Sequence, residues 1–390
     1  MIKKVVVDKA DRIYQMPLDI ASLLPSRQGK LIRRADAIDL AAFNWPLSFN
    51  ADLAIEPEAL NPASREKLGN LREELVGWFA KYHQVKLHPE KEIYIGGPIS
   101  SLAFALALAN IDNGDLAFVP ELGMPLYRKV IIGCGGEPVS YSVSPKNNWR
   151  PEFERINTRM GRVARLLFLN SPHNPTGAEL SEKELANLVW LAGKENTLIA
   201  NDAAYQSVPS RLPLSLMSVE GGKRVGVELY AFSYTFGLAP LPFGFAVGNR
   251  DAISGIEAAS SLIRADIPAY FVDLALRNIR QYPSESIKFV RNQFLQTSAE
   301  AAALMNLLSL DVTGYSTVPY LWARIERRRS ANTLARMLYR RARVLTVPGT
   351  IFGENGQGFL RFSLTASPQA YEEASTRIKK RISLLKGVEE

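Results

Sequence analysis

The chain has 390 residues, a length that favours two domains. Of these residues 47% are hydrophobic and 22% are charged, a balance typical of a globular protein. Its longest apolar stretch, at residues 101–109, is far shorter than the ~20 residues needed to cross a bilayer, which argues against a membrane-spanning protein. Cys134 is the only cysteine and the three histidines are scattered, so the sequence indicates neither a disulfide framework nor a metal site.

The formal net charge is +8, and basic residues concentrate at 324–329, 340–343 and 377–381. Each of these stretches accompanies an apolar pattern, which indicates the solvated outer face of a helix or strand. No zinc, helix-turn-helix or aromatic–basic module accompanies the charge, so we expect no nucleic-acid partner. The apolar run after Met1 stops at Asp8, which is not typical of a secretory signal, and we expect a cytoplasmic protein.

Strand and helix patterns alternate through the first two thirds of the chain. Asn61-Pro62 is a helix start signal, and Ser181 with Glu184 forms a capping box for a later helix. Strands are predicted at 93–95, 116–119, 166–169, 197–200, 229–232 and 243–247, and helices at 99–110 and 125–132. This alternation predicts an α/β fold, with a largely parallel sheet between helices.

The pattern changes after about residue 267. A long helical stretch is predicted to about residue 300, followed by strands at 320–325, 343–347 and 359–363 and a C-terminal helix from Pro368. We therefore predict an N-terminal arm and part of a small domain at 1–44, a large domain at 45–266, and a linking helix with the small C-terminal domain at 267–390.

Six segments in order carry a family resemblance. They lie at residues 96–100, 120–127, 170–177, 201–205, 231–239, and 347–349 with 360–363. Together they resemble the class I/II aminotransferases of pyridoxal-phosphate fold type I. The resemblance implies a large domain with a mostly parallel sheet sandwiched by helices, and a smaller α+β domain. The segment 233–249 resembles the histidinol-phosphate and threonine-phosphate branch in particular.

Four residues match positions with a known role in that family. The resemblance assigns Asp202 to the pyridine nitrogen of the cofactor, where a carboxylate keeps the ring protonated. It assigns Asn174 and Tyr205 to the ring hydroxyl. It assigns Arg361 to the substrate α-carboxylate, which suits a planar, two-pronged donor.

Other positions depart from the family pattern, which reads Ser-x-Ser-Lys with an arginine eight residues beyond the lysine. Tyr234 stands at the lysine position, Pro242 at the arginine position and Ala231 at the first serine. Met124 stands where an aromatic residue usually stacks on the ring, and Pro98 removes an N–H from the phosphate loop. We therefore expect no covalently bound pyridoxal phosphate and no resident cofactor, with Asn174, Asp202 and Tyr205 as a relic of the cofactor site.

Three hypotheses for function follow from this pattern. The first is an enzyme that works without pyridoxal phosphate on an amino-acid-like carboxylate in biosynthesis, with Tyr234, Asp202 and Tyr205 as catalytic residues and Arg361 and Asn174 binding the substrate. The second is a non-catalytic subunit that pairs with an active homologue. The third is an enzyme that binds pyridoxal or pyridoxamine phosphate without a covalent bond. A homodimer is expected, with a heterodimer as the alternative.

Overall fold

The computed structural model describes residues 26–27, 30–31, 36–41, 57–153, 164–205, 212–239, 241–263, 266–314, 317–325 and 330–381. Its strands are β1 (Ser26–Arg27), β2 (Lys30–Leu31), β3 (Ile38–Asp39), β4 (Ile93–Gly96), β5 (Leu116–Pro120), β6 (Glu137–Tyr141), β7 (Leu166–Asn170), β8 (Leu198–Asp202), β9 (Gly226–Ala231), β10 (Gly244–Gly248), β11 (Leu310–Val312), β12 (Tyr320–Ile325), β13 (Val344–Leu345), β14 (Val347–Pro348) and β15 (Phe359–Ser363). Its α-helices are α1 (Arg65–Tyr82), α2 (Ile99–Asn110), α3 (Pro125–Gly133), α4 (Glu182–Glu195), α5 (Gly222–Val225), α6 (Phe232–Thr235), α7 (Arg250–Ile263), α8 (Ala269–Arg280), α9 (Glu285–Leu308), α10 (Ala331–Met337) and α11 (Pro368–Lys379).

A seven-stranded sheet has the order β4-β10-β9-β8-β7-β5-β6. Neighbouring strands from β9 to β6 are parallel, and β10 runs antiparallel to both β4 and β9. The strands β5, β7, β9 and β10 are buried along their whole length, because helices cover both faces of the sheet. The predicted α/β architecture is confirmed.

The two faces of this sheet bury separate apolar clusters. One face packs on α2 and α7, through residues such as Leu106, Ala246 and Ile256. The other face packs on α1, whose Trp78 and Phe79 lie among aromatic side chains of β9 and β10. Burial on both faces explains why these strands read as continuous apolar runs instead of alternating patterns.

A second, antiparallel sheet has the order β11-β12-β15-β14. Helices α9 and α11 pack together, and their residues share one apolar cluster with this sheet. Residues from the start of the chain join this unit, since β3 pairs in parallel with β13 and the Ser363 amide donates to the Leu40 carbonyl over 2.8 Å. Most of the predicted arm at 1–44 lies outside the described residues, and the predicted domain bounds stay a prediction.

The long helical stretch predicted from residue 267 is two helices. α8 ends at Arg280 and α9 begins at Glu285, with Pro283 between them. Proline lacks the N–H that an uninterrupted helix would need, and the Ser284 hydroxyl then caps α9 by accepting from the Ile287 amide. The capping box of Ser181 and Glu184 is confirmed at the start of α4. Across the described ranges, no helix is both long and apolar enough to span a membrane.

The two sheets meet where the loop after β5 touches the loop before β15. The Gly123 amide donates to the Phe352 carbonyl over 2.8 Å. Gly353 has φ +138°, and a Cβ on this residue would lie 2.0 Å from the Glu121 carbonyl oxygen. Glycine is therefore required at position 353 both by its backbone conformation and by the close approach of the neighbouring chain.

We predict that Gly353→Ala lowers the free energy of unfolding by on the order of 2 kcal/mol more than Gly358→Ala does. Both residues have positive φ, but a Cβ on Gly358 would meet nothing within 4 Å, so Gly358→Ala reports the backbone cost alone. Urea unfolding of the two variants measures the difference. Equal losses would contradict the close packing of the two loops.

Candidate active site

The loops that follow the parallel strands meet at one edge of the large sheet. Gly96, Pro120, Asn170, Asp202 and Ala231 end β4, β5, β7, β8 and β9 respectively. Parallel strands place their carboxyl ends at the same edge, and open α/β sheets bind ligands there. Five of the six sequence segments that carry the family resemblance, all except 347–349 with 360–363, therefore come together in space.

Arg361 brings a buried positive charge from β15 to this edge. Only 3% of the residue is exposed, and its guanidinium lies 3.9 Å from the ring centroid of Tyr320 and 4.9 Å from that of Phe352. Its Nη1 donates to Asn174 Oδ1 over 3.1 Å and its Nη2 to the Ala41 carbonyl over 3.3 Å, while its Nε is buried without a hydrogen-bond partner. No carboxylate of the described chain forms a salt bridge with it.

Asn174 is held by its backbone and by its side chain. Its amide N–H donates to Asn170 Oδ1 over 2.7 Å, which fixes the loop after β7. Its Nδ2 lies 3.2 Å from Tyr205 Oη and 3.2 Å from Met124 Sδ. The structure thus brings together Asn174, Tyr205 and Arg361, the residues to which the resemblance assigned the ring hydroxyl and the substrate carboxylate.

Asp202 ends β8 with its carboxylate buried. Oδ2 accepts from Tyr127 Oη over 2.8 Å, and Oδ1 accepts from the Ala204 amide over 3.1 Å. Burial raises the pKa of Asp202 to about 6, and these two hydrogen bonds oppose the rise in part. No cation within the described ranges forms a salt bridge with this carboxylate.

Three tyrosines meet around Tyr234, the residue that the sequence predicted at the lysine position of the family motif. Tyr205 and Tyr234 stack with ring centroids 5.5 Å apart, and Tyr320 meets Tyr205 edge-on at 5.9 Å. Burial raises the pKa of all three phenols, so each keeps its proton at neutral pH and can donate it in a hydrogen bond.

His173 fixes the loop that precedes Asn174. Its Nε2 lies 2.9 Å from the Leu122 carbonyl and its Nδ1 lies 2.8 Å from Thr176 Oγ1. Burial lowers the pKa of His173 to about 4, so the ring is neutral at pH 7. A carbonyl can only accept, so Nε2 carries the proton and Nδ1 accepts from the Thr176 hydroxyl. The histidine therefore holds the loop without adding charge.

Sequence reasoning missed Tyr127, Tyr320, Phe352 and Asn170. Tyr127 lies inside a segment that the resemblance used, at the start of α3, and its spacing to Val130 and Ile131, three and four residues on, could have indicated an inward-facing residue. Tyr320 and Phe352 lie in a different unit from Asp202. No local pattern predicts that they flank Arg361, because the contacts depend on how the two sheets meet.

The class I and II aminotransferase family model matches residues 56–378 of the chain. This chain is a member of that family. LL-diaminopimelate aminotransferase from Halothermothrix orenii is 27% identical over 390 residues, which cover 96% of this chain and 98% of that protein. Transaminase BacF from Bacillus subtilis is 28% identical over 80% of this chain and 78% of its own. The substrate-bound structure of BacF covers 88% of this chain and 90% of its own, with 26% identity and a TM-score of 0.80.

These findings overturn the function that the sequence predicted. Members of the family use pyridoxal phosphate, so the expected absence of a cofactor is wrong. The enzyme without pyridoxal phosphate and the non-catalytic subunit are wrong for the same reason. The finer likeness to the histidinol-phosphate branch is also wrong, since the matched relatives are LL-diaminopimelate aminotransferases. The prediction gave most weight to the departures at Ala231, Tyr234 and Pro242, although the four residues that match the family pattern, Asn174, Asp202, Tyr205 and Arg361, are all buried at this edge of the sheet.

The pocket fits a pyridine ring at one end. The buried Asp202 carboxylate lacks a cation among the residues described, and a protonated ring nitrogen would supply one. Asn174 Nδ2 and Tyr205 Oη are donors for a ring hydroxyl. At the phosphate end, Ala231 and Pro242 have no polar side chain, and the amino end of α2 supplies backbone N–H groups.

We predict that Asp202→Asn changes how stability depends on pH. The folded chain holds the Asp202 proton more tightly than the unfolded chain, because its pKa rises from about 3.8 to about 6 on folding. This residue therefore lowers the free energy of unfolding as the pH rises from 4 to 7, by on the order of 3 kcal/mol. Relative to the wild type, the asparagine variant gains that amount over the same range, measured by urea unfolding of cofactor-free protein.

A second variant checks the sign of this effect. Tyr127→Phe removes a hydrogen bond that lowers the pKa of Asp202, so the loss of stability should extend to higher pH than in the wild type. If the free energy of unfolding depends on pH in the same way for wild type and Asp202→Asn between pH 4 and 7, burial does not raise the pKa of Asp202.

Proposed function

We propose that this chain is a pyridoxal phosphate-dependent aminotransferase whose substrate is a small amino acid bound through its α-carboxylate. The observation that carries the proposal is a pair of buried, opposite charges that do not pair with each other. Arg361 lacks a carboxylate partner and Asp202 lacks a cation partner among the described residues. A buried charge without a partner is costly, so the complementary ligand presents a protonated ring to Asp202 and a carboxylate to Arg361.

The buried residues of the pocket would bind different parts of the cofactor and the substrate, according to their charge. When bound, pyridoxal phosphate supplies an electron-withdrawing ring that stabilises negative charge at the α-carbon of an amino acid. Asp202 would keep the ring nitrogen protonated, and Asn174 and Tyr205 would orient the ring through its hydroxyl. Arg361 would fix the substrate carboxylate, since its free Nε and a neighbouring Nη offer two parallel donors. Tyr320 and Phe352 cover the guanidinium and exclude water from it.

The finer part of the proposal concerns position 234. Tyr234 follows Ser233 in register with the lysine of the family motif, and its phenol lies against Tyr205. We propose that this phenol, which keeps its proton at neutral pH, takes the place of the lysine and donates a hydrogen bond there. We also propose a homodimer, which is the usual state of aminotransferases in this family.

The first test compares wild type with Tyr234→Lys in a titration with pyridoxal phosphate, followed by borohydride reduction and intact mass measurement. We expect the cofactor's absorbance to change with both proteins, and a permanent mass gain only with the lysine variant. Native mass spectrometry of the same samples should give two 43.3 kDa chains per assembly. No absorbance change with wild type would overturn the cofactor assignment. A lysine adduct on wild type would instead overturn the register at position 234.

The second test removes the carboxylate site. We predict that Arg361→Ala weakens binding of LL-diaminopimelate to the cofactor-loaded protein by on the order of 10- to 100-fold, because a charge-assisted contact contributes about 1.5–3 kcal/mol. The affinity of Arg361→Lys should lie between that of wild type and that of Arg361→Ala, since lysine keeps the charge and loses the two-pronged geometry. Arg324→Ala is the matched control, because Arg324 lies on the neighbouring strand and forms an exposed ion pair with Asp311. Equal binding by wild type and Arg361→Ala would place the carboxylate elsewhere.

A further inference from the structure

Glu228 is a fully buried glutamate on β9 that the proposed chemistry does not use. Its Oε1 accepts from the Leu216 amide and from Asn201 Nδ2, each over 2.9 Å. Its Oε2 accepts from Ser215 Oγ and from Tyr230 Oη, the latter over 2.7 Å. None of the basic residues described here forms a salt bridge with it.

This arrangement costs stability. Burial raises the pKa of Glu228, and four hydrogen bonds oppose the rise. A carboxylate in the interior without a cation is often less favourable than an apolar side chain of the same size. The choice of glutamate at this position therefore needs an explanation other than packing.

Asn201 lies next to Glu228 across the β8–β9 pair, and its side-chain amide connects Glu228 to the backbone of Ser171. The carboxylate accepts hydrogen bonds, so it selects the NH₂ side of the Asn201 amide. The opposite atom, Oδ1, then faces the Ser171 amide and accepts a hydrogen bond from it over 3.1 Å. If the amide were reversed, two donors would face each other at Ser171.

Ser171 begins the loop that presents Asn174 to Arg361. Its neighbour Asn170 ties the same loop to β8, since Nδ2 donates to the Asp202 carbonyl over 2.8 Å and Oδ1 accepts from the Asn174 amide. The loop is therefore held from two sides by asparagines, and Glu228 Oε1 fixes which way the Asn201 amide points, because this oxygen accepts from the NH₂ group.

We propose that Glu228 is a positioning residue for the active site. It orients the Asn201 amide, the amide holds Ser171, and the loop then places Asn174 where it meets Arg361 and Tyr205. The inference rests on the proposed function only for the ligand that reports the effect, because the loop contacts exist in the cofactor-free chain.

Hydrogen exchange of the cofactor-free protein, followed by mass spectrometry of peptides that span 166–176, tests the proposal. We expect Asn201→Ala and Glu228→Leu to speed exchange in this segment on the order of 10-fold, the loss expected for one hydrogen bond to a charged network. Glu228→Gln should stay close to wild type, because its Oε1 still accepts from Asn201 and its NH₂ can donate to the Ser215 and Tyr230 hydroxyls.

Asn278→Ala is the matched control for a lost buried amide, since within the described ranges the Asn278 side chain bonds to the Leu274 carbonyl of its own helix alone. It should leave exchange at 166–176 unchanged at equal loss of stability. If Asn201→Ala, or Glu228→Leu where it folds, leaves that segment as protected as the control does, the proposal is overturned.

The affinity for pyridoxamine phosphate supplies a second reading. In the positioning role, Asn201→Ala and Glu228→Leu weaken binding and Glu228→Gln restores it, whereas a loss of binding shared by Glu228→Gln would contradict the role. If wild type itself does not bind the probe, the proposed function fails while the exchange data still decide the role of Glu228.

Discussion

Arg361 and Asn174 come from different sheets, and the hydrogen bond between them joins the two halves of the pocket. The ring of Tyr320 lies against the guanidinium of Arg361, 3.9 Å from its ring centroid. Burial raises the pKa of Tyr320, and the charges of Arg361 and Asp202 act on it in opposite directions. The two charges nevertheless do not neutralise each other. Neutral donors and acceptors, chiefly Asn174 and the tyrosines, fill the space between them and leave each charge available to a ligand.

The cationic end of the pocket is built differently from its anionic end. Aromatic faces contact the guanidinium, and a cation gains energy from such faces without giving up its charge. Asp202 is contacted by a phenol and by a backbone amide, which stabilise negative charge only in part. Without a ligand, Asp202 would therefore be partly protonated near pH 6. Binding of a protonated ring would restore the negative charge of the carboxylate.

Much of the fold could be predicted from local pattern. The helix Ile99–Asn110 and the strand Phe359–Ser363 follow from apolar runs between turn signals. The predicted roles of Asp202 and Asn174 follow from short motifs at or just after a strand end, and that of Arg361 from a motif inside β15. The break between α8 and α9 was missed, because the apolar pattern continues on both sides of Pro283.

The function could not be derived from the same patterns. The sequence shows that Ala231 and Pro242 depart from the family motif, but it does not show that Asn174 meets both Tyr205 and Arg361 in one pocket. That geometry depends on contacts between distant segments, such as the hydrogen bond from Arg361 to Asn174 across 187 positions. Counting the departures from the motif therefore led to the wrong prediction that the cofactor is absent. The networks around Glu228 and His173 were invisible for a related reason, because a lone buried polar residue has no local signature.

The contact between Gly123 and Phe352 is made by backbone atoms, as is the close approach of Gly353 to the Glu121 carbonyl. Every residue type except proline carries the same N–H and C=O groups, so this junction depends little on which side chains surround it. Mutation can therefore alter most surrounding positions without changing how the two sheets meet, provided that the glycine is kept. Side chains that line the pocket between the two sheets can then change, and its specificity with them, while the backbone around the pocket keeps its position.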